Sequence, residues 1–173
     1  FEPETQSFTH YREDPRVPHS LVGKQIKEIY EDRSGTVWIG TTEGLYRIEN
    51  QTGMLTHFKS IGGDERSLSS DAVETIIEDM SGTIWVGTYG GLNEINGVTG
   101  KIVRHLGVSN VISSVEDHAG NLWVGTNGDG VKQLTKHARQ FRTITHAATK
   151  EKLLALDALE TNTDELWIIG EKY

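Results

Sequence analysis

Apolar and polar residues alternate along this chain in short stretches, cut at intervals by polar turns that contain glycine. In residues 26–59 the pattern predicts four strands. Ile26, Glu28 and Tyr30 alternate with Lys27, Ile29 and Glu31, which suits a short strand largely covered on both faces. Asp32-Arg33-Ser34-Gly35 reads as a turn, with Asp accepting backbone N–H bonds and Gly taking the positive φ. A second strand follows over 36–41, and its period of two sets Trp38 and Gly40 on one face and Val37, Ile39 and Thr41 on the other. Glycine beside tryptophan lets another segment approach closely. Thr42-Glu43-Gly44 turns the chain into a third strand over 45–48. Asn50-Gln51-Thr52-Gly53 turns it again into a fourth over 55–59.

The same phrase then recurs. EDRSGTVWIGT (31–41), EDMSGTIWVGT (78–88) and EDHAGNLWVGT (116–126) place Trp38, Trp85 and Trp123 in one context, and ETNTDELWIIG (160–170) is a worn copy around Trp167. The tryptophans are 47, 38 and 44 residues apart. The spacing is constant within the phrase and varies in one connection, as rigid units joined by an adjustable loop require. A period of roughly 40–50 residues means one supersecondary unit stacked on copies of itself. A four-stranded antiparallel sheet that is apolar on both faces is stable only when stacked, and stacking around an axis gives a β-propeller. The expected fold is therefore all-β, with complete blades at 26–59, 73–105 and 111–144 and partial blades at 1–14 and 153–173. The outer strand of a preceding blade is placed at 8–12, and two inner strands of a following blade near 153–159 and 165–170. That makes fifteen strands, one short of a closed four-bladed ring. The chain reads as a fragment of a larger propeller that starts and stops mid-unit, and its open ends predict self-association or dimerisation.

Composition narrows the function classes. A net charge of −8 argues against nucleic acid. The absence of cysteine excludes disulfides and thiolate zinc sites. The 19 glycines recur in phase with the repeat, so they mark turns rather than disorder. The sequence has no run of 18 apolar residues.

The pattern D-x-x-G-x-hydrophobic-W-[VI]-G-T followed by G-L resembles the two-component regulator propeller repeat, and FTHYREDPRVPHSL (8–21) resembles its outer strand and connection. The resemblance covers most of 1–145. In the last copy Thr161 replaces Asp, Asp164 replaces Gly and Ile169 stands where Gly is expected. The resemblance implies the periplasmic sensor region of a bacterial inner-membrane signalling protein, a hybrid histidine kinase or a diguanylate cyclase, with many relatives sensing carbohydrate. The ligand implied is a small molecule or oligosaccharide. Catalysis would lie elsewhere in the full-length protein, and no cofactor or metal is expected. A propeller enzyme, either a lyase or a glycan-acting enzyme, and a protein-interaction scaffold are the alternatives.

Several residues carry candidate chemistry. Gly62-Gly63-Asp64-Glu65 spells most of a diguanylate cyclase signature but falls in the variable connection, so it reads as a loop. Asp32, Asp79 and Asp117 recur with Gly35, Gly82 and Gly120. One carboxylate per turn is too few for calcium, so these read as turn chemistry. The three tryptophans read as core, expected to be buried between blades. None of the seven histidines forms a metal-ligand motif, and His10 and His57 occupy equivalent outer-strand positions. Strand alternation puts the Asp-x-x-Gly turns on one rim, and the second-to-third turns with the inter-blade connections on the other. The second rim is where the repeats vary. Tyr89 can stack on a sugar ring and Glu43, Asn127 and Asp129 can bind its hydroxyls; the competing reading is that they are solvated turn residues.

Overall fold

Each Asp-x-x-Gly turn closes a tight hairpin because its glycine takes a conformation that other residues resist. Gly35, Gly82 and Gly120 have φ of 80, 84 and 78°. The computed structural model describes residues 6, 21, 25–50, 52–135 and 141–144, and the backbone of strands at 154–160 and 166–171. The strands of the first blade are β1 (Ile26–Glu31), β2 (Val37–Thr41), β3 (Gly44–Ile48) and β4 (Leu55–Phe58). The second blade has β5 (Val73–Glu78), β6 (Thr83–Thr88), β7 (Gly91–Asn96) and β8 (Ile102–Leu106). The third has β9 (Val111–Glu116), β10 (Leu122–Thr126), β11 (Gly130–Leu134) and β12 (Phe141–Ile144). A two-stranded sheet follows, β13 (Leu154–Glu160) with β14 (Leu166–Glu171). Each blade is an antiparallel meander in sequence order. The first strands β1, β5, β9 and β13 lie against one another in turn, and the fourth strands form the outer edges. The strand expected at 8–12 lies outside the described residues.

The core sits between blades. Trp38 and Leu45 of the first blade meet Val73, Ile76, Ile84, Val86 and Ile95 of the second, with Leu68 of the connection inserted. Trp85 and Leu92 meet Val111, Leu122, Val124 and Leu134 in the same way, with Val108 inserted. Burying each of these aliphatic side chains contributes roughly 1.5–3 kcal/mol. The glycine two residues after each tryptophan makes the contact possible. A Cβ on Gly40 would stand 2.7 Å from Val73 Cγ1, and one on Gly87 2.4 Å from Val111 Cγ1. The 59–72 connection is anchored on buried Asn93, whose Oδ1 accepts from Ser69 N (2.9 Å) while its Nδ2 donates to Val86 O (2.9 Å).

Two expectations need correction. Strand β1 is not covered on both faces: Ile26 is 42% exposed and Ile29 65%. Their counterparts Val73 and Ile76 are buried against the blade before them, whereas no described blade stands before β1. Trp38 and Trp85 are buried, but Trp123 is only half-buried. Among the described residues the sheet next to Trp123 has two strands, against four in the sheet next to Trp38 and in that next to Trp85.

The packing sets two stability tests by urea unfolding. Gly87→Ala should cost about 1–3 kcal/mol through overpacking, whereas Gly62→Ala, with nothing within 4 Å of the added carbon, should change stability by less than about 0.5 kcal/mol. Trp38→Ala and Trp85→Ala should each cost about 3–5 kcal/mol and Trp123→Ala clearly less. Equal losses at all three tryptophans would contradict the difference in cover.

Candidate functional site

The repeated rim is built around three carboxylates. Asp32 Oδ1 accepts from Ser34 N (2.9 Å), Ser34 Oγ (2.6 Å) and Thr36 N (2.9 Å), and its Oδ2 accepts the indole N–H of Trp38 at 2.8 Å. Asp79 repeats the set with Ser81, Thr83 and Trp85, the indole bond being 2.9 Å. Asp117 holds Asn121 N (2.7 Å), the Asn121 side chain and Trp123 (2.7 Å). Each aspartate therefore ties its turn to the tryptophan six residues on. The sequence reading treated turn and core separately; the constant D-x5-W spacing was the available signal. With these oxygens already engaged, the carboxylates are turn and core fixtures. Among the described residues no group of three or more His, Asp or Glu is placed to hold a metal.

The glutamates before Asp79 and Asp117 each reach the preceding blade. Glu78 Oε2 accepts from Arg33 N (2.8 Å) and Glu116 Oε2 from Met80 N (2.7 Å). The threonine that ends the phrase fixes the opposite rim. Thr41, Thr88 and Thr126 donate to the carbonyls of Gly44, Gly91 and Gly130 at 2.8, 3.0 and 2.6 Å. They accept from Glu43 N, Gly90 N and Asp129 N.

That opposite rim carries the four candidate ligand residues. Tyr89 is 50% exposed, and its backbone is held by Ala72 O (3.1 Å) and Asn110 N (2.9 Å). Asn127 N donates to Asn110 O at 2.8 Å, so Asn110 links the Tyr89 and Asn127 turns. Asn110 adopts φ 51°, a conformation asparagine tolerates better than most residues, and it was not singled out from the sequence. Asp129 shares the Asn127 turn and pairs with Lys132 Nζ at 2.5 Å. Glu43 lies on the neighbouring blade's turn. His57 Nε2–H donates to Glu43 O at 3.0 Å while its ring stacks on Tyr46, centroids 4.0 Å apart. The rim thus groups Tyr89, Asn127 and Asp129 at the second and third blades, with Glu43 one blade away. The cleft beside Trp85 and the one beside Arg47 and Phe58 contain none of the four. Gly62-Gly63-Asp64-Glu65 forms an exposed loop in which Asp64 Oδ1 caps Arg66 N (2.9 Å).

The turn carboxylates link stability to acid. Burial pushes Asp32, Asp79 and Asp117 up, but the hydrogen bonds from Ser34, Ser81, Asn121, the indoles and the backbone outweigh it and hold all three below the ordinary aspartate value. A depressed folded pKa gives stability that is complete above the unfolded value of about 3.9 and is lost as pH falls through the folded one. Urea midpoints should therefore be level above about pH 5 and fall below about pH 4. Asp79→Asn, which presents an N–H or a single oxygen where two acceptors are needed, should cost about 1–3 kcal/mol at pH 7 and flatten the acid slope. An unchanged slope would remove Asp79 as a contributor.

Residues 20–43, 67–90 and 105–128 each match the two component regulator propeller family. None of the curated proteins matches the chain. Among solved structures, the extracellular domain of a putative hybrid two component system from B. thetaiotaomicron is 21% identical with a TM-score of 0.74, over 93% of this chain and 23% of that one. A second such domain from the same organism is 20% identical at 0.69, over 89% and 21%. Virginiamycin B lyase from Staphylococcus aureus is 17% identical at 0.64, over 88% and 50%. The chain spans less than a quarter of the length of the two-component neighbours. At these identities the likeness shows the fold, a β-propeller of which this chain is a segment. Each matched stretch includes one aspartate–tryptophan bond and the hairpin around it, and these three repeats are two component regulator propeller repeats.

Proposed function

We propose that this chain is part of the ligand-sensing propeller of a bacterial membrane signalling protein. It lies on the periplasmic side and is not itself catalytic; the output activity resides in another part of the full-length protein. The three matched repeats carry this reading, and the extracellular two-component domains among its structural neighbours support it. Among the described residues no helix is long and apolar enough to cross a membrane.

The ligand is an oligosaccharide or related small molecule, bound on the variable rim. Tyr89 offers an exposed aromatic face there, and Asn127 and Asp129 of the next turn and Glu43 of the preceding one add hydroxyl-binding groups. Polar loops presented by a rigid scaffold are suited to recognition. Calorimetric titration of a glycan library should give at least one saturable ligand, and Tyr89→Ala should weaken it about tenfold, equivalent to about 1.4 kcal/mol. A library without any binder, or a binder indifferent to Tyr89, would overturn this site.

The open face of the first blade is matched by another blade of the same kind, whether from the rest of the full-length protein or from a second copy. Support comes from Ile26 and Ile29, exposed where Val73 and Ile76 are buried. Light scattering of the 173-residue chain at tens of micromolar should show self-association that Ile29→Asp reduces. A monodisperse monomer would refute pairing with a second copy.

A further inference from the structure

Three cations from separate elements meet between the first blade and the second. Arg47 of β3, Arg66 of the 59–72 connection and Lys101 of the turn between β7 and β8 line one cleft of about 570 Å³. Among the described residues Glu49 is the only carboxylate in that lining. It pairs with Arg47 at 3.3 Å and accepts from Thr52 Oγ1 at 3.3 Å. Three cations against one anion leave a surplus of two positive charges, in a chain whose net charge is −8. The fold does not answer that surplus. Among the described residues the Arg66 guanidinium and the Lys101 ammonium have no ion pair and no hydrogen bond. Asp64, beside Arg66, accepts only its backbone N–H. Arg47 is held over Trp38, its guanidinium carbon 5.5 Å from the indole centroid, and donates to Val98 O at 3.3 Å. Its Nε–H is nevertheless buried without an acceptor, a state that folded proteins seldom leave unanswered.

We propose that this cleft binds a phosphate group, either that of a monoester or free inorganic phosphate. A phosphate carries nearly two negative charges near neutral pH and three strong acceptor oxygens. It therefore matches the surplus of two and reaches several donors at once. Guanidinium groups fork onto such oxygens, and an ammonium adds a point charge. The Arg47 side chain keeps 11% of its surface open, so a ligand in the cleft reaches its guanidinium and supplies the acceptor that Nε lacks. The bonds to Glu49 and Val98 use two of the five guanidinium donors, so they persist when phosphate binds. Gly100 keeps the guanidinium's place clear, since a Cβ there would stand 2.9 Å from Arg47 Nη1. Met54, Phe58 and Ile102 in the lining offer apolar cover to the carbon frame of an ester. A carboxylate brings one charge where two are called for, and a cation is repelled. The cleft contains none of Glu43, Tyr89, Asn127 and Asp129, so its test is independent of the ligand reading above.

The test is calorimetry on the 173-residue protein with phenyl phosphate, inorganic phosphate and benzoate as probes. A phosphate probe should saturate below about 10 mM at pH 8 and bind about tenfold tighter than benzoate. Added salt should weaken it. Binding should also weaken by about pH 5.5, because phosphate takes up its second proton near pH 6. Tighter binding of phenyl phosphate than of inorganic phosphate assigns the cleft to an ester, and equal binding to the free ion. Arg66→Gln and Lys101→Gln should each weaken phosphate about fivefold. Both residues are exposed and without side-chain partners among the described residues, so urea midpoints should not move. Lys59→Gln, at an exposed lysine outside the lining, should leave binding unchanged. Benzoate binding as tightly as phosphate, or no saturation by any probe, overturns the proposal. So does a loss as large with Lys59→Gln as with Lys101→Gln, which would mark a general effect of net charge.

Discussion

A tryptophan ring buried between two sheets brings one polar hydrogen with it, and that hydrogen needs an acceptor. Here the acceptor is the carboxylate of the hairpin turn six residues earlier, at 2.8, 2.9 and 2.7 Å in the three blades. The other carboxylate oxygen gathers the N–H groups of the same turn. One ion thus shapes the turn, orients the aromatic ring and satisfies the indole. Were the aspartate absent, the turn would lose its internal acceptor and the core would hold an orphaned donor, so the two losses arrive together.

From that anchor the stack propagates by close approach. The glycine after each tryptophan clears space for the next blade's first strand, and glutamates of the second and third blades bond the turn of the blade before. Nearest-neighbour contacts of this kind make a repeat protein nearly one-dimensional. Each blade finishes its neighbour's core, which is why Ile29 stands exposed while Ile76 does not.

A scaffold held by identical contacts leaves its remaining positions free to differ. The threonine ending each phrase fixes the second-to-third turn through backbone atoms, the same turns that carry Glu43, Tyr89, Asn127 and Asp129. A similar freedom exists across the ladder from the tryptophans, where arginine, glutamate and glutamine stand at Arg47, Glu94 and Gln133. Arg47 lies over Trp38 in the first blade, and Glu94 lines a cleft beside Trp85 in the second.

The meander, the repeat and the left-handed glycines were legible in the sequence because they are local. A period of two, a D-x-x-G spacing and a recurring tryptophan each act within a few residues of themselves, and copies confirm one another. The faces of β2 followed from the same alternation. What alternation does not encode is which side chain completes which. That Asp79 accepts from Trp85, that Glu116 reaches Met80 and that Asn110 joins the turns of Tyr89 and Asn127 depend on how strands and blades meet. The uneven cover of Trp38 and Trp123, which sit in closely similar phrases, depends on residues distant from each phrase, among them Arg47 and Phe58 against Trp38. Burial is a property of two surfaces, and the sequence of one blade specifies only its own.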